Sequence, residues 1–300
     1  MTARRLVIGH LFEDLLNLYG DRGNIATLVR RARWRGIEVE VRRLDGTADD
    51  ARALEDVDIA FIGGGQDAQQ ISVAAGLDVV GPALVEAVRH GTALLAVCGG
   101  YQNLGHRYRS DLVGELQGPG LLDVATDAPS GAPRRVGGVV IELEDDSPIA
   151  SGGRASAAAA GRPGAERRLV GFENHSGLTY LGLEARPLGR TVVGHGNNGV
   201  DGGEGVLAYP GQGGLAGLRV GTYMHGPLLP RNPHLADFLL RAGLARTGQP
   251  AELSVLPDRA EWAAHEAFER RWRAEWEESQ RRGQSRVGRL RDRLESLVGF

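Results

Sequence analysis

The chain has 300 residues, of which 42% are hydrophobic and 24% charged, and its formal net charge is −3. This length and composition suffice for a sizeable core, so we expect one large domain or two small ones. The charge argues against a nucleic-acid-binding or membrane-binding surface. One cysteine excludes an internal disulfide and a cysteine-cluster metal site, and it is typical of a reducing cytoplasm.

The amino-terminal stretch MTARRLVIGHLFED is unlike a signal peptide, because Glu13 and Asp14 interrupt its apolar residues early. No apolar run approaches the roughly 18 residues needed to cross a membrane. We therefore expect a cytoplasmic protein without a membrane span.

Strand and helix signals alternate over the first hundred residues. Strands are predicted at 5–11, 37–41, 58–62 and 92–97, with helices at 24–35 and 82–89. This rhythm predicts an α/β fold with a mostly parallel central sheet flanked by helices. Active sites in such sheets lie beyond the carboxyl ends of the strands. The glycine triplet 63–65 and Cys98 both follow such ends.

The second half of the chain has shorter predicted strands, at 136–143, 169–172, 191–193, 205–208 and 218–222, and a helix at 233–246. The stretch SGGRASAAAAGRPGAE, 151–166, has low complexity and predicts a disordered surface insertion. We place one domain at 1–256, including this insertion, and a helical tail rich in Trp, Arg and Glu at 257–300.

The tail carries a helical pattern. Residues 258–261 resemble a capping box, and one helix face carries residues four apart, namely Ala264, Phe268, Trp272 and Trp276. Leucines at 290, 294 and 297 form a second stripe. Two interpretations stay open: the helix packs back on its own domain, or it binds a partner or a second copy.

The stretch LLAVCGGYQNLGH, 94–106, contains the single cysteine, Cys98. A lone cysteine is often only a small buried hydrophobe. Here an apolar strand runs into Cys-Gly-Gly and then a helix, which is the pattern of a nucleophile elbow. The amides at the start of such a helix stabilise a thiolate and an oxyanion. The context therefore favours a nucleophilic role for Cys98.

A cysteine nucleophile needs a base, commonly a histidine distant in sequence. His225 in GTYMHGP and His175 in GFENHSG each follow a predicted strand, although position alone leaves a structural role open for both. The triplet 63–65 lacks the Gly-Lys-Ser/Thr of a phosphate-binding loop. Its backbone N–H groups suit an oxyanion hole equally well.

These motifs together resemble a known family. The run Cys-Gly-Gly-Tyr-Gln at 98–102 fits the C-x-G-x-Q motif of class I glutamine amidotransferases, and 171–177 and 221–233 resemble their cobyric acid synthase-like branch. The run HLFEDLLNLYGDRGN at 10–24, with FIGGGQD and the GNN at 196–198, is similar to the glutaminase subunits of lipid II isoglutaminyl synthase. The resemblance covers about residues 4 to 250. It leaves out 151–166 and the tail.

The resemblance implies a flavodoxin-like amidotransferase fold and an activity. The chain would hydrolyse L-glutamine to glutamate and ammonia. A Mur-ligase-like catalytic subunit, its partner in a heterodimer, would use the ammonia to amidate D-glutamate in the lipid II stem peptide. No cofactor is expected in this chain, since ATP and Mg would be bound by the partner ligase.

The resemblance also implies roles for individual residues. Cys98 would attack the side-chain amide of glutamine, and His225 would carry the thiol proton to the departing ammonia. The oxyanion hole would use the backbone N–H groups of Gly99 and Gly64, with Gly65 as a less favoured choice.

Two further residues match family positions near the substrate. Gln102 would lie near the bound glutamine. Arg134 would grip the α-carboxylate, a group that a guanidinium binds well. Its neighbour Arg135 is the alternative at this position, and an ordinary solvated arginine is the other interpretation.

One residue departs from the family pattern. Most class I amidotransferases have a Glu two residues after the catalytic histidine, and here that position is Pro227. The carboxylate would come from Glu173, or from the partner, or Cys98 and His225 would act alone. We favour the partner. Other readings remain: an amidotransferase for another amide synthesis, such as a cobyric acid-like one, a Cys-His peptidase or similar protein on a related fold, or a non-catalytic subunit that stabilises its partner.

Overall fold

The structure is a computed structural model that describes residues 4–17, 20–183, 185–209 and 214–298, and the side chains of these residues except 67 and 283–298. The strands, in chain order, are β1 Arg5–Leu11, β2 Glu38–Leu44, β3 Ile59–Ile62, β4 Ala93–Val97, β5 Arg107–Ser110, β6 Gly114–Gln117, β7 Val124–Ala128, β8 Arg135–Glu142, β9 Arg168–His175, β10 Leu178–Leu181, β11 Gly189–Val193, β12 Gly203–Glu204, β13 Val206–Ala208 and β14 Arg219–Thr222. The helices are α1 Arg22–Arg33, α2 Ala48–Ala53, α3 Asp67–Arg89, α4 Gly99–Asn103, α5 Pro148–Ala159, α6 Pro233–Arg246 and α7 Arg259–Val298.

The central sheet has six strands in the order β13-β14-β4-β3-β1-β2. Only the β13–β14 pair is antiparallel among these strands, which confirms the predicted α/β class with a mostly parallel sheet. Strand β4 is buried along its whole length, as expected where both faces of a parallel sheet are covered. Leu95 and Val97 belong to the core on one face and Leu94 and Ala96 to the core on the other.

Two smaller sheets complete the fold, with strand orders β10-β7-β5-β6 and β12-β11-β8-β9. Strand β9 is joined to the segment after β14 by an antiparallel bridge between Phe172 and His225. This bridge places β9 beside the carboxyl edge of the central sheet, where β3, β4 and β14 end.

Helix α3 differs from the sequence prediction in two ways. It begins at Asp67 rather than at Pro82, which lies inside the helix; proline favours a first helical position, and tertiary packing overrides that preference here. Residues Ala68–Arg89 are also long and apolar enough to cross a membrane, contrary to the expectation of no such run. The helix packs Val73, Val80 and Leu84 into the core, and a core helix passes the same test.

The low-complexity stretch 151–166 is not disordered, and that prediction was wrong. It lies mostly in α5, followed by a 3₁₀ turn at Ala165–Arg167. Its small residues permit close packing: a Cβ added to Gly153 would lie 2.5 Å from the Cβ of His234. The Ser156 hydroxyl accepts a hydrogen bond from the indole Nε1 of Trp262 (2.9 Å) and donates one to Asp258 (2.8 Å).

One face of the described part of α7 packs back on the domain, in agreement with one of the two interpretations. Trp272, with Phe268 and Trp276, covers valines of β8, β9 and β11. At the start of the tail, Asp258 forms a two-pronged buried ion pair with Arg31, with both distances 2.8 Å. The leucine stripe at 290, 294 and 297 lies outside the described side chains, so a partner-binding role for it stays a prediction. The boundary at residue 256 also stays a prediction.

Candidate functional site

A cavity of about 460 Å³ lies at the carboxyl edge of β3, β4 and β14. The predicted site residues that line it are Gly64, Cys98, Gln102, Arg134 and His225. The remaining predicted residue, Gly99, directly follows Cys98 in the chain. A second cavity, of about 920 Å³ around Arg186 and Arg219, contains none of them. Over the described ranges, no three His, Cys, Asp or Glu side chains are grouped to bind a metal ion. The predicted residues thus converge on one pocket.

Cys98 occupies the sharp turn between β4 and α4. Its φ of +51° is in the left-handed region, which a non-glycine residue adopts only at a cost. The turn also requires glycine at 100, because a Cβ there would lie 2.8 Å from the carbonyl oxygen of Ile62. The side chain is half-buried at the cavity. This is the elbow geometry that the sequence predicted.

His225 is held beside the cavity by its own backbone. Its N–H donates to the Phe172 carbonyl (2.9 Å), and the Phe172 N–H donates to the His225 carbonyl (3.1 Å). The two rings meet edge to face at 5.4 Å. Burial, with smaller effects from the charges of His175 and Arg134, lowers the pKa of His225 to about 3. The imidazole is therefore neutral at physiological pH, and its protonated form is disfavoured.

Glu173 is buried, and its contacts direct it away from a direct role on His225. One carboxylate oxygen accepts from the backbone N–H (2.9 Å) and ring Nδ1 (2.8 Å) of His195, and the other accepts from the Gly196 N–H (3.1 Å). Burial opposes ionisation, but the nearby His175 ring and the hydrogen bonds from His195 hold the pKa of Glu173 below its usual value. Its negative charge acts on His225 from a distance, raising the pKa.

His175 also lines the cavity. Its ring stacks on Tyr223 with centroids 3.6 Å apart. Nδ1 lies 2.9 Å from the Gly177 carbonyl, to which it donates, and Nε2 lies 3.6 Å from the Glu173 carboxylate. Its Nδ1–H is engaged by a backbone carbonyl and its ring by Tyr223, and these contacts account for a structural role of His175.

Gln102 is buried at the floor of the cavity. Its carbonyl oxygen accepts from Gln70 (2.9 Å) and its amide nitrogen donates to the Tyr223 hydroxyl (3.0 Å). The sequence analysis did not identify Gln70 and Tyr223 as site residues. The mostly polar residues at 66–70, directly after the glycine triplet, could have indicated Gln70. Because both the oxygen and the nitrogen of its side-chain amide bond protein groups, Gln102 helps to fix the cavity wall.

The structure distinguishes between the two neighbouring arginines. Arg134 lines the cavity, and its Nε donates to Asn174, which lines it too. Arg135 instead donates to the Asn198 carbonyl at 2.9 Å. Arg134 is therefore the arginine placed to meet a ligand in the cavity.

For the glutamine-binding role that the resemblance implies, replacing Arg134 by alanine should raise the KM for glutamine about 10- to 100-fold, with a smaller effect on kcat, because a charge-assisted hydrogen bond to the ligand carboxylate contributes about 1.5–3 kcal/mol. Initial-rate kinetics check this. Arg109→Ala is the matched control, since Arg109 is exposed and pairs with Asp127. A normal KM in Arg134→Ala would contradict the assignment.

The amide of Gly64 has a partner within the protein. Gly64 lies beside the nucleophile: a Cβ added to it would be 3.1 Å from the Cβ and 3.7 Å from the Sγ of Cys98. Its N–H donates to the buried carboxyl of Asp21 at 2.8 Å. By contrast, among the described residues no acceptor bonds the N–H of Gly65 or Gly99. Of the two candidate donors, Gly64 already donates to Asp21, whereas the Gly65 N–H can donate to a ligand.

Comparisons with known proteins find matches over most of the chain. The CobB/CobQ-like glutamine amidotransferase domain matches residues 7–233. The chain is 36% identical over 263 residues to the GatD subunit of the glutamine-hydrolysing lipid II isoglutaminyl synthase of Staphylococcus aureus, covering 88% of this chain and 94% of that protein. It is 33% identical over 257 residues to the Streptococcus pneumoniae GatD subunit, covering 85% and 86%. A cobyric acid synthase of Sphingopyxis alaskensis is 34% identical over 168 residues, covering 54% of this chain and 27% of that protein.

Proposed function

The chain belongs to the CobB/CobQ-like glutamine amidotransferase family, and from this premise we propose that it is the glutamine-hydrolysing subunit of a lipid II isoglutaminyl synthase. Its similarity to GatD subunits over most of both chains supports the proposal. The observation that carries the chemistry is the cavity in which a strained Cys98 elbow lies with His225 and Arg134. The product ammonia would go to a Mur-ligase-like partner that amidates D-glutamate of the stem peptide.

The proposed hydrolysis proceeds in two steps. The Cys98 sulfur attacks the carboxamide carbon of glutamine, and His225 accepts the thiol proton and passes it to the nitrogen that leaves as ammonia. The product is a glutamyl thioester. Water then attacks the thioester, its proton is taken by His225 and returned to the sulfur, and glutamate leaves.

The low basicity of His225 carries an inference about the partner. With a pKa of about 3, this imidazole accepts a proton poorly from a thiol, whose usual pKa is about 8.5. A carboxylate beside the ring would raise the pKa of His225. Pro227 stands where that carboxylate is usual, and Glu173 is engaged by His195. We infer that the partner subunit supplies a carboxylate to His225 in the complex, which would also restrain hydrolysis by the chain alone.

Adding the cognate partner should raise kcat for glutamine hydrolysis at least about 10-fold. It should also move the acid limb of kcat/KM to higher pH. Hydrolysis needs neutral His225, so the rate falls when the pH drops below the pKa of this histidine. That pKa is about 3 in the chain alone. A carboxylate beside the ring raises it, and the fall in rate then begins at a higher pH. Glutamate release measured across pH, with and without the partner, checks both effects. Equal kcat and an unmoved limb would contradict a partner carboxylate.

The remaining parts of the proposal concern the assembly. The amidation of D-glutamate would use ATP and Mg bound by the partner ligase, whereas the proposed glutamine hydrolysis needs neither. A cytoplasmic location suits a reactive thiol that must stay reduced. Ammonia must reach the partner before it is protonated, so a heterodimer with an enclosed route is expected.

A further inference from the structure

Leu16, which follows β1, presses against the glycine triplet 63–65. A Cβ added to Gly63 would lie 2.3 Å from the Leu16 carbonyl oxygen, and one on Gly65 would lie 2.3 Å from Leu16 Cδ2. Real Cβ atoms do not approach so closely, which explains why both positions are glycine. Leu16 lies within the motif 10–24, to which the proposed chemistry assigns no role.

The peptide group between Gly63 and Gly64 is fixed at both ends. The Gly63 carbonyl accepts from the N–H of Gly100, in the turn that carries Cys98, at 3.0 Å. The Gly64 N–H donates to Asp21 Oδ2 at 2.8 Å. In a planar trans peptide the C=O and N–H point in opposite directions. The carbonyl therefore faces the elbow, and the Gly64 N–H points away from it.

We propose that Asp21 is a positioning residue of the oxyanion hole, holding the Gly63–Gly64 peptide so that the N–H of Gly65 completes the hole with that of Gly99. The Gly65 nitrogen lies 3.1 Å from the position of a Cβ on Gly99, so the Gly65 amide packs against the residue that follows Cys98. This inference rests on the proposed glutamine hydrolysis, and it assigns to Gly65 the role expected of Gly64.

The surroundings of Asp21 fit a positioning role. The side chain is fully buried, and burial raises the pKa of its carboxyl to about 7, although the Gly64 hydrogen bond opposes this. Burying a carboxyl without a cationic partner is costly, and Oδ1 bonds no described residue. The buried Asp21 carboxyl lowers the stability of the fold, and the one hydrogen bond that it forms with a described residue goes to the Gly64 amide. Its presence is therefore better explained by its effect on the position of the glycine loop than by a contribution to stability.

The same motif also contacts the chain that follows His225. A Cβ added to Gly23 would lie 2.7 Å from Pro227 Cγ. The side-chain Oδ1 of Asn24 accepts a hydrogen bond from the Leu229 N–H at 2.9 Å. Residues 21–24 therefore connect the glycine loop beside Cys98 with the loop beyond the proposed base.

The test compares two substitutions of Asp21 in the assembled complex with its partner. Asp21→Ala removes the acceptor and should lower kcat about 10- to 100-fold with KM within about threefold, since loss of a whole oxyanion donor costs about 10²–10³ in kcat. Asp21→Asn keeps an acceptor oxygen and should stay within about fivefold of wild type. Asp14→Asn is the matched control, because Asp14 is exposed and pairs with Arg43.

A second readout separates the oxyanion hole from folding. Iodoacetamide alkylates a thiolate by displacement at a saturated carbon, so no oxyanion forms, and Cys98 is the only cysteine. Asp21→Ala should be alkylated at the wild-type rate. A changed rate would overturn the inference, because it would mean that the elbow itself is disturbed.

The kinetic outcomes separate the inference from the proposed function. A kcat in Asp21→Ala equal to or above that of an active wild type would overturn the positioning role and leave glutamine hydrolysis intact. Equal losses in the Ala and Asn variants would also overturn it. A wild-type complex that does not hydrolyse glutamine would overturn the proposed function, and this inference with it.

Discussion

Replacing Cys98 by alanine should abolish glutamine hydrolysis, with kcat in the assembled complex falling by at least about 10³-fold. The sulfur is the atom that becomes acylated in the proposed first step, and the chain has no second thiol to replace it. Water attacking the amide directly would forgo the thioester route that divides one difficult step into two. Glutamate release under saturating glutamine measures the loss.

The control for this substitution is Cys98→Ser. It keeps the shape of the side chain and the same φ of +51°, while exchanging the thiol for a poorer nucleophile, so a loss of similar size is expected. Both variants should bind the partner and unfold at the wild-type temperature, because the side chain is small and half-buried. Activity retained in Cys98→Ala would contradict the nucleophile assignment.

Replacing His225 by asparagine should lower kcat about 10²- to 10⁴-fold, the contribution typical of a positioned acid–base group. The backbone pairing with Phe172 does not depend on the ring, so the fold should remain intact. The thiol would then lose its proton acceptor, and the leaving nitrogen its proton donor. Initial-rate kinetics in the complex, with thermal unfolding alongside, measure the effect.

Two other histidines serve as comparisons for His225→Asn. His106 is 57% exposed at its side chain and pairs with Asp123, so His106→Asn should leave kcat unchanged. His175→Asn should cost less than His225→Asn, because His175 is held by the Gly177 carbonyl and the Glu173 carboxylate. A larger loss in His175→Asn would identify His175 as the base instead.

Local patterns in the sequence were sufficient to predict the elbow. The apolar run of β4 and the glycines after Cys98 lie within a few residues of one another, and each has a direct backbone meaning. The parallel sheet followed from the alternation of strands and helices. His225 was a candidate because it follows a predicted strand, whereas the place of Arg134 at this edge was inferred from family resemblance, since spacing alone does not bring distant strands together.

Contacts between distant segments could not be predicted from the sequence. Asp21 and Gly64 are 43 residues apart, and neither lies in a pattern that signals a hydrogen bond between them. The helix at 148–159 was misjudged because alanine, serine and glycine were interpreted as signs of disorder. In the fold those small residues let α5 approach α6 and the start of α7, and the segments that make such packing possible are far away in the chain.

The most direct test of glutamine hydrolysis by Cys98 uses a glutamine analogue whose carboxamide is replaced by a diazoketone, which alkylates a thiol with loss of nitrogen gas. After incubation with the complex, mass spectrometry of the digested chain locates the label. We predict one label on Cys98, slowed by added L-glutamine, absent from Cys98→Ala and accompanied by loss of hydrolysis. Label at another residue, or an unlabelled Cys98 in a complex that still hydrolyses glutamine, would contradict this function.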